Sequence, residues 1–229
     1  MCGRYSIVID EDKLRKQFGE SLQLPFGQES LPTNYNVAPT QDGLVLTDAE
    51  PNRLSLFRWG LVPFWAKDLK IGSRMINARS EGIVDKPAFR QAIRKRRCLV
   101  IADSFYEWKR LGKDKQPYRI LPADDSLLIM AGIWEVWRGV SKQDDPVYTY
   151  SVITGAPNLE MQSLHDRMPI LLQDEKSQSA WLSEEADLPM VQNLLQTPPD
   201  GILRAYPVSK AVGNVRNNGP ELHESMTLL

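Results

Sequence analysis

Short apolar runs rich in Val, Ile, Leu and aromatic residues recur along this chain in neighbouring pairs, with no regular alternation of helix and strand between them. They fall at 44–48, 54–60, 98–106, 117–121, 127–134, 147–154 and 202–208, and each has the length and turn-bounded character of a strand. Strands that follow one another without a helical crossover pair antiparallel. The runs 98–106 and 117–121 bracket Gly112-Lys113-Asp114-Lys115, which predicts a hairpin with a basic tip. Helices are expected after Asp10 as N-cap, through Leu14 to Phe18, and at 87–95, 175–182 and 187–195. Residues 21–43, with Pro25, Pro32 and Pro39, read as an irregular loop. The expected fold is α+β: a single domain over 1–229, with a largely antiparallel, barrel-like sheet flanked by helices.

Composition narrows the function classes. No apolar run approaches 18 residues, so no membrane span is expected. The first residues lack the apolar core of a signal peptide. The two cysteines, Cys2 and Cys98, are too few for a disulfide framework or a Cys-rich metal site. Cys98 opens an apolar run and reads as a buried, inert thiol. These features predict a cytoplasmic protein without metal or cofactor. Net charge is −1, yet Lys86 to Arg119 holds 11 basic and 3 acidic residues, against 7 and 15 in 120–229. Such asymmetry can build a phosphate-binding face on a neutral protein. The run Arg94-Lys95-Arg96-Arg97 itself is read as a solvated helix end, favoured by the helix dipole.

The second residue bears most directly on chemistry. Methionine aminopeptidases remove Met1 when the next side chain is small, and Cys2 qualifies. The new terminus would carry an α-amine titrating at about 7.7–8.0 beside a thiol near about 8.5. Such an aminothiol can attack a carbonyl through sulfur, as N-terminal-nucleophile hydrolases do. It can also add both groups to one aldehyde and close a thiazolidine.

Other polar residues stand where a packed core does not explain them. Asn77, in Asn77-Ala78-Arg79, can serve as a helix N-cap or join a guanidinium in oxygen or phosphate recognition. Glu107, flanked by Tyr106 and Trp108, is either an edge-strand carboxylate or a general acid–base whose pKa the aromatics raise. His165 is one of two histidines; His223 lies near a C-terminus expected to fray. Asp166 is not expected to orient His165, since sequence neighbours point apart. Trp59, Trp65, Tyr106 and Trp108 could stack unpaired bases; Trp108 reads as core, and Trp65 as the loop residue most available for stacking.

Seven blocks, in order, carry a resemblance: MCGRY at 1–5, YNVAPT at 35–40, RWGLVPFW at 58–65, INARSE at 76–81, FYEW at 105–108, LHDRMPILL at 164–172 and PVSKAVGNVRNNGPEL at 207–222. Together they resemble the SRAP family, the SOS response-associated peptidases, also called abasic site processing proteins, over essentially the whole chain. The resemblance implies covalent capture of abasic sites in single-stranded DNA, with the protein nucleoid-associated when bound and monomeric. By resemblance Cys2 is the nucleophile, Asn77 the sugar-oxygen sensor, Glu107 a proton carrier, and His165 an aid to ring opening or to the adduct. Arg4 and Arg79 match arginines that hold flanking phosphates, with Arg167 helping. The family is also assigned lyase-type Schiff-base chemistry, autoproteolytic removal of Met1 and peptidase-like self-release. Two positions depart from the family pattern: Ala66 where a second bulky residue often follows the tryptophan, and Gly82 where a threonine is common.

Two other readings start from the same residues. One is an N-terminal-nucleophile amidohydrolase or peptidase, but its Asn-Gly oxyanion motif is absent from the early chain; the only Asn-Gly is Asn218-Gly219. The other is a module that grips single-stranded DNA without reacting.

Overall fold

The computed structural model describes residues 2–139 and 145–227. In chain order the strands are β1 (Tyr5–Ile7), β2 (Asn34–Val37), β3 (Asp42–Thr47), β4 (Leu54–Trp59), β5 (Asn77–Arg79) and β6 (Arg97–Ala102). They continue with β7 (Ser104–Leu111), β8 (Asp114–Pro122), β9 (Leu128–Trp137), β10 (Val147–Gly155), β11 (Met168–Pro169) and β12 (Leu203–Pro207). The helices are α1 (Glu11–Phe18), α2 (Ala92–Lys95), α3 (Leu159–Gln162), α4 (Glu175–Leu182) and α5 (Leu188–Asn193). Among the described residues, no helix is long and apolar enough to cross a membrane.

Five strands close a ring. β10 pairs with β4, then β3, β6 and β9 follow, and β9 returns to β10. Every step is antiparallel except β10–β4. A second sheet, ordered β12-β8-β7-β1-β2, is antiparallel throughout. The α+β, largely antiparallel, barrel-like expectation therefore holds. A closed ring has no free edge on which another chain could add a strand. One apolar cluster runs from Cys2 to Leu203 and joins both sheets. At Gly43 in β3 the chains come so close that a Cβ would sit 1.9 Å from the Tyr5 hydroxyl and 2.1 Å from that of Tyr150. Only glycine fits there.

Local chemistry sets the helices where it is strong. Asp10 caps α1 by accepting from the Asp12 N–H at 3.0 Å, and Gly19 ends the helix at φ 92°. α4 matches its expected span of 175–182. Asp187 caps α5, which stops at Asn193 rather than 195. The expected helix at 87–95 shrinks to α2, since Gln91 makes no side-chain cap and only Ala92 and Ile93 are buried.

Four expectations need correcting. Residues 21–43 are not loop throughout: β2 forms there because Tyr5 and Ile7 pair with Val37 and Asn34. The run 98–106 is two strands broken at Asp103, and the hairpin joins β7 to β8 across Gly112-Lys113, with Leu111 opposite Asp114. Arg97 is not solvated. It is 1% exposed, and its guanidinium donates to the carbonyls of Trp181, Ile93, Arg94 and Ser183 at 2.7, 3.2, 2.8 and 2.6 Å. Four acceptors let a buried cation exist without a carboxylate on its guanidinium. The C-terminal region is docked rather than frayed at His223, whose ring meets Tyr35 edge-on at 4.8 Å.

Candidate active site

Cys2 lies three residues ahead of the short strand β1, which is sandwiched between β2 and β7, and it is completely buried. Its Sγ is 3.9 Å from the Arg4 carbonyl. Burial raises the thiol pKa well above the ordinary thiol range, and the nearby Glu107 carboxylate pushes the same way. Both effects favour the thiol over the thiolate. Met1, whose removal the sequence reading expects, lies outside the described residues.

β5 brings the next residue in. Its three residues pair in parallel with β10, Asn77 opposite Val152 and Arg79 opposite Thr154. Asn77 is therefore a strand residue, not a helix N-cap. Its Nδ2 donates to the Cys2 carbonyl at 2.8 Å, while its Oδ1 is buried without a hydrogen-bond partner among the described residues. An unfilled acceptor beside a reactive group favours a ligand that brings a hydroxyl or amine.

Glu107 sits in the middle of β7, opposite Tyr118, and is 2% exposed. Burial raises its carboxyl pKa, and the His165 imidazole, close enough to interact, opposes that rise. A carboxyl shifted towards neutrality can both give and take a proton there.

His165 follows α3, where its backbone N–H caps the turn on the Met161 carbonyl at 2.9 Å. Its Nδ1 accepts from the Arg167 N–H at 3.0 Å and lies 2.8 Å from Asp166 Oδ1. The two partners ask for different states. A neutral ring takes the backbone N–H and keeps its proton on Nε2; a charged ring can donate to Asp166. Asp166 does meet its neighbour's ring, against expectation. The electrostatic contacts of Glu107 with Cys2 and with His165, and the Asn77–Cys2 bond, draw four residues scattered along the sequence to one place.

The basic residues occupy different settings. Arg4 is 9% exposed; its Nη1 donates to Asn36 Oδ1 at 2.8 Å and to the Val212 carbonyl at 2.9 Å, and its Nε is buried without a partner among the described residues. Arg79 is exposed at the end of β5. Arg167 forms a two-pronged pair with Glu81, at 2.7 and 2.8 Å, and also donates to the Thr154 carbonyl. Trp65 is 50% exposed, beside Phe64 at 56%. Trp59 and Tyr106 are fully buried, so the stacking role they shared in the sequence reading does not extend to them.

A cavity of about 530 Å³ opens beside Asn77, lined also by Arg79, Glu81, Lys86, Phe89 and Arg167. A larger hollow of about 630 Å³, bounded by Lys16 and Gln17 of α1 and Gln178 of α4, holds none of the four converging residues. Sequence reasoning missed Glu81, Lys86 and Phe89 as site residues. Glu81 was in sight in the INARSE block, but its partner lies 86 positions on. Among the described residues no three His, Cys, Asp or Glu side chains gather to hold a metal ion.

The family model described as SOS response associated peptidase (SRAP) matches residues 1–215. The abasic site processing protein YoqW of Bacillus subtilis is 44% identical over 228 residues, covering 98% of this chain and all of that protein. The abasic site processing protein HMCES of Gallus gallus is 31% identical over 259 residues, covering 96% of this chain and 76% of its own. A crystal structure of a Bacteroides thetaiotaomicron protein superposes with a TM-score of 0.86 over 99% of this chain and 100% of that one; at 24% identity the likeness concerns the fold alone.

Proposed function

The chain belongs to the SRAP family, and from that membership we propose that it processes abasic sites in single-stranded DNA by trapping them covalently on Cys2. The observation that carries this reading is the Asn77–Cys2 bond, with the Asn77 Oδ1 beside it lacking a partner among the described residues. With Met1 removed, the Cys2 α-amine adds to the aldehyde carbon of the ring-opened sugar. The carbinolamine then loses water to give an imine. The Cys2 sulfur attacks the imine carbon; one C–S bond forms, the imine π pair becomes the nitrogen's N–H, and the thiol proton is the one transferred. The overall change is aldehyde plus aminothiol to thiazolidine plus water, with no redox step.

The geometry is compatible with one division of the proton traffic. Burial favours the thiol over the thiolate, which suits an order in which the amine reacts first and the sulfur second. Glu107, with its raised pKa, protonates the departing hydroxyl and accepts the thiol proton in turn. Asn77 Oδ1 accepts a hydroxyl of the open sugar. His165, with its Nδ1 satisfied by the Arg167 N–H, presents Nε2–H to assist ring opening. Ring closure removes the imine, and with it the pathway by which an adjacent α-proton leads to β-elimination and strand cleavage.

Arg79 and Arg167 hold flanking phosphates, and an anion reaching Arg4 would fill the donor its Nε leaves open. Trp65 stacks on an unpaired base. The protein works as a single-domain monomer in the cytoplasm, drawn to the nucleoid when bound. The decisive test is a denaturing gel after mixing the protein with an abasic oligonucleotide. Wild type gives a shifted, heat-resistant band and Cys2→Ala gives none. An unshifted wild-type lane, or an intact mass that retains Met1, overturns the reading. Glutamine hydrolysis instead would favour the N-terminal-nucleophile alternative.

A further inference from the structure

Three cations and one carboxylate stand on the wall of the cavity beside Asn77. The side chains of Arg79 and Lys86 make no hydrogen bond or ion pair among the described residues. Arg167 is occupied by Glu81, the only acid on that wall. The pair is lopsided: the Arg167 side chain is 13% exposed and that of Glu81 is 60%. The arginine is fixed, because Nη2 also donates to the Thr154 carbonyl and its backbone enters β11 against β10. The carboxylate is held more loosely: it is the solvent-facing member, and besides Arg167 its partners are the neighbouring Ser80 and its own backbone. Arg167 Nε is buried and still lacks a partner among the described residues.

The Arg167 guanidinium belongs to a side chain only 13% exposed and, unlike Arg97, has a single backbone carbonyl as acceptor, so an anion in front of it offsets the cost of burying its charge. A carboxylate and a phosphate present the same pair of oxygens to its fork. We propose that Glu81 occupies the place of a DNA phosphate on Arg167, and that an incoming strand must displace it.

This inference rests on the trapping reading and adds a specificity determinant to it. The ion pair with Arg167 keeps the Glu81 carboxyl down to about 2, so the competitor is charged at every physiological pH. Intact strand therefore gains one phosphate contact only by losing an existing one. Its grip is weakened, whereas an abasic strand is retained by the covalent bond whatever the strength of that grip. Discrimination arises from a repulsive element against the undamaged partner rather than from an added attraction for the damaged one.

The test is fluorescence anisotropy with a labelled, undamaged single-stranded oligonucleotide. Glu81→Gln keeps the size of the side chain and removes the competing charge. It should tighten intact-strand binding about two- to fivefold, the range expected for losing one exposed ion pair, and the gain should shrink as salt is raised. Unchanged or weaker binding by a variant with wild-type melting overturns the proposal. If the variant fails to fold, the wild-type protein decides: its Arg167 Nε–H resonance should move on titration with the same oligonucleotide, and one that stays in place overturns the proposal. Because every arm uses undamaged DNA, failure of the trapping reading shows separately, as a missing crosslink on abasic DNA.

Discussion

The Asn77 side chain donates to the Cys2 carbonyl at 2.8 Å, so a three-residue strand anchored on β10 holds the reactive end of the chain across 75 positions of sequence. Positioning of this kind is worth more to a reaction than to stability.

Asn77→Ala should therefore separate the two. A hydrogen bond contributes about 0.5–1.5 kcal/mol to folding, so the melting temperature should fall by only a few degrees. Crosslinking should slow by about 100-fold, the cost of a misplacement on the order of 1 Å between reacting groups. A single-turnover gel time course beside a thermal melt reads both. Equal loss in the two would reduce Asn77 to a structural residue.

Glu107 makes a pH-dependent contribution to stability. Its folded pKa lies above the ordinary 4.5 because of burial, so the folded state binds the proton more tightly than the unfolded one. Stability from this group is fully present below pH 4.5 and is lost as pH rises through the raised value. Glu107→Gln removes the dependence, and the melting temperature of the variant relative to wild type should climb over that window. Its crosslinking should fall by about 100-fold or more, the usual worth of a positioned acid–base. A flat difference in melting temperature would place the carboxylate in water instead.

His223 is expected to behave in the opposite sense. Burial, together with the Arg119 guanidinium, lowers its pKa from 6.5 to about 4, against the opposing pull of Asp103. The unfolded chain takes up the proton first, so stability is full above pH 6.5 and declines as pH falls towards 4. His223→Phe keeps the ring against Tyr35 and should lose less stability than wild type over that interval, as read by melting at pH 7 and pH 4.5. Parallel curves would show that the imidazole is solvated.

Arg97 is the buried residue whose loss should cost the most. Arg97→Leu leaves four backbone carbonyls without their donor, and breaking a buried charged network costs about 3–5 kcal/mol. At about 2–4 °C per kcal/mol for a chain of this length, melting should drop by roughly 10 °C. A drop of a degree or two would mean that water enters and replaces the guanidinium.

Sequence patterning read well where one local signal dominates. The Asp10 cap located α1, and the paired apolar runs gave the antiparallel barrel. It failed where distant chain decides the outcome. Asn34–Val37 has the composition of a loop and becomes β2 because β1 needs a partner on that side. Asn77 resembles a helix cap until β10 pairs with it. Arg97 belongs to a basic run that looks solvated, and the carbonyls that accept its hydrogen bonds include those of Trp181 and Ser183, more than 80 positions away. Within the site, the types and order of Cys2, Asn77, Glu107 and His165 were legible. The Glu81–Arg167 pair was not, because an acid and a base 86 residues apart carry no pattern a sequence window can register.

The burial of Cys2 also has a meaning in time. Cys2 is seated against Asn77 and Glu107, which leave the ribosome about 75 and 105 positions after it, and Arg4 nearby is tied to the carbonyl of Val212. Cys2 therefore reaches its buried place only after those later residues have emerged. On the proposed chemistry, an aminopeptidase has to reach the Met1–Cys2 bond while that end still dangles from the nascent chain, before β1 is laid between β2 and β7. Completion of the fold is then the deadline for maturation, and a molecule that misses it would be well folded and chemically silent.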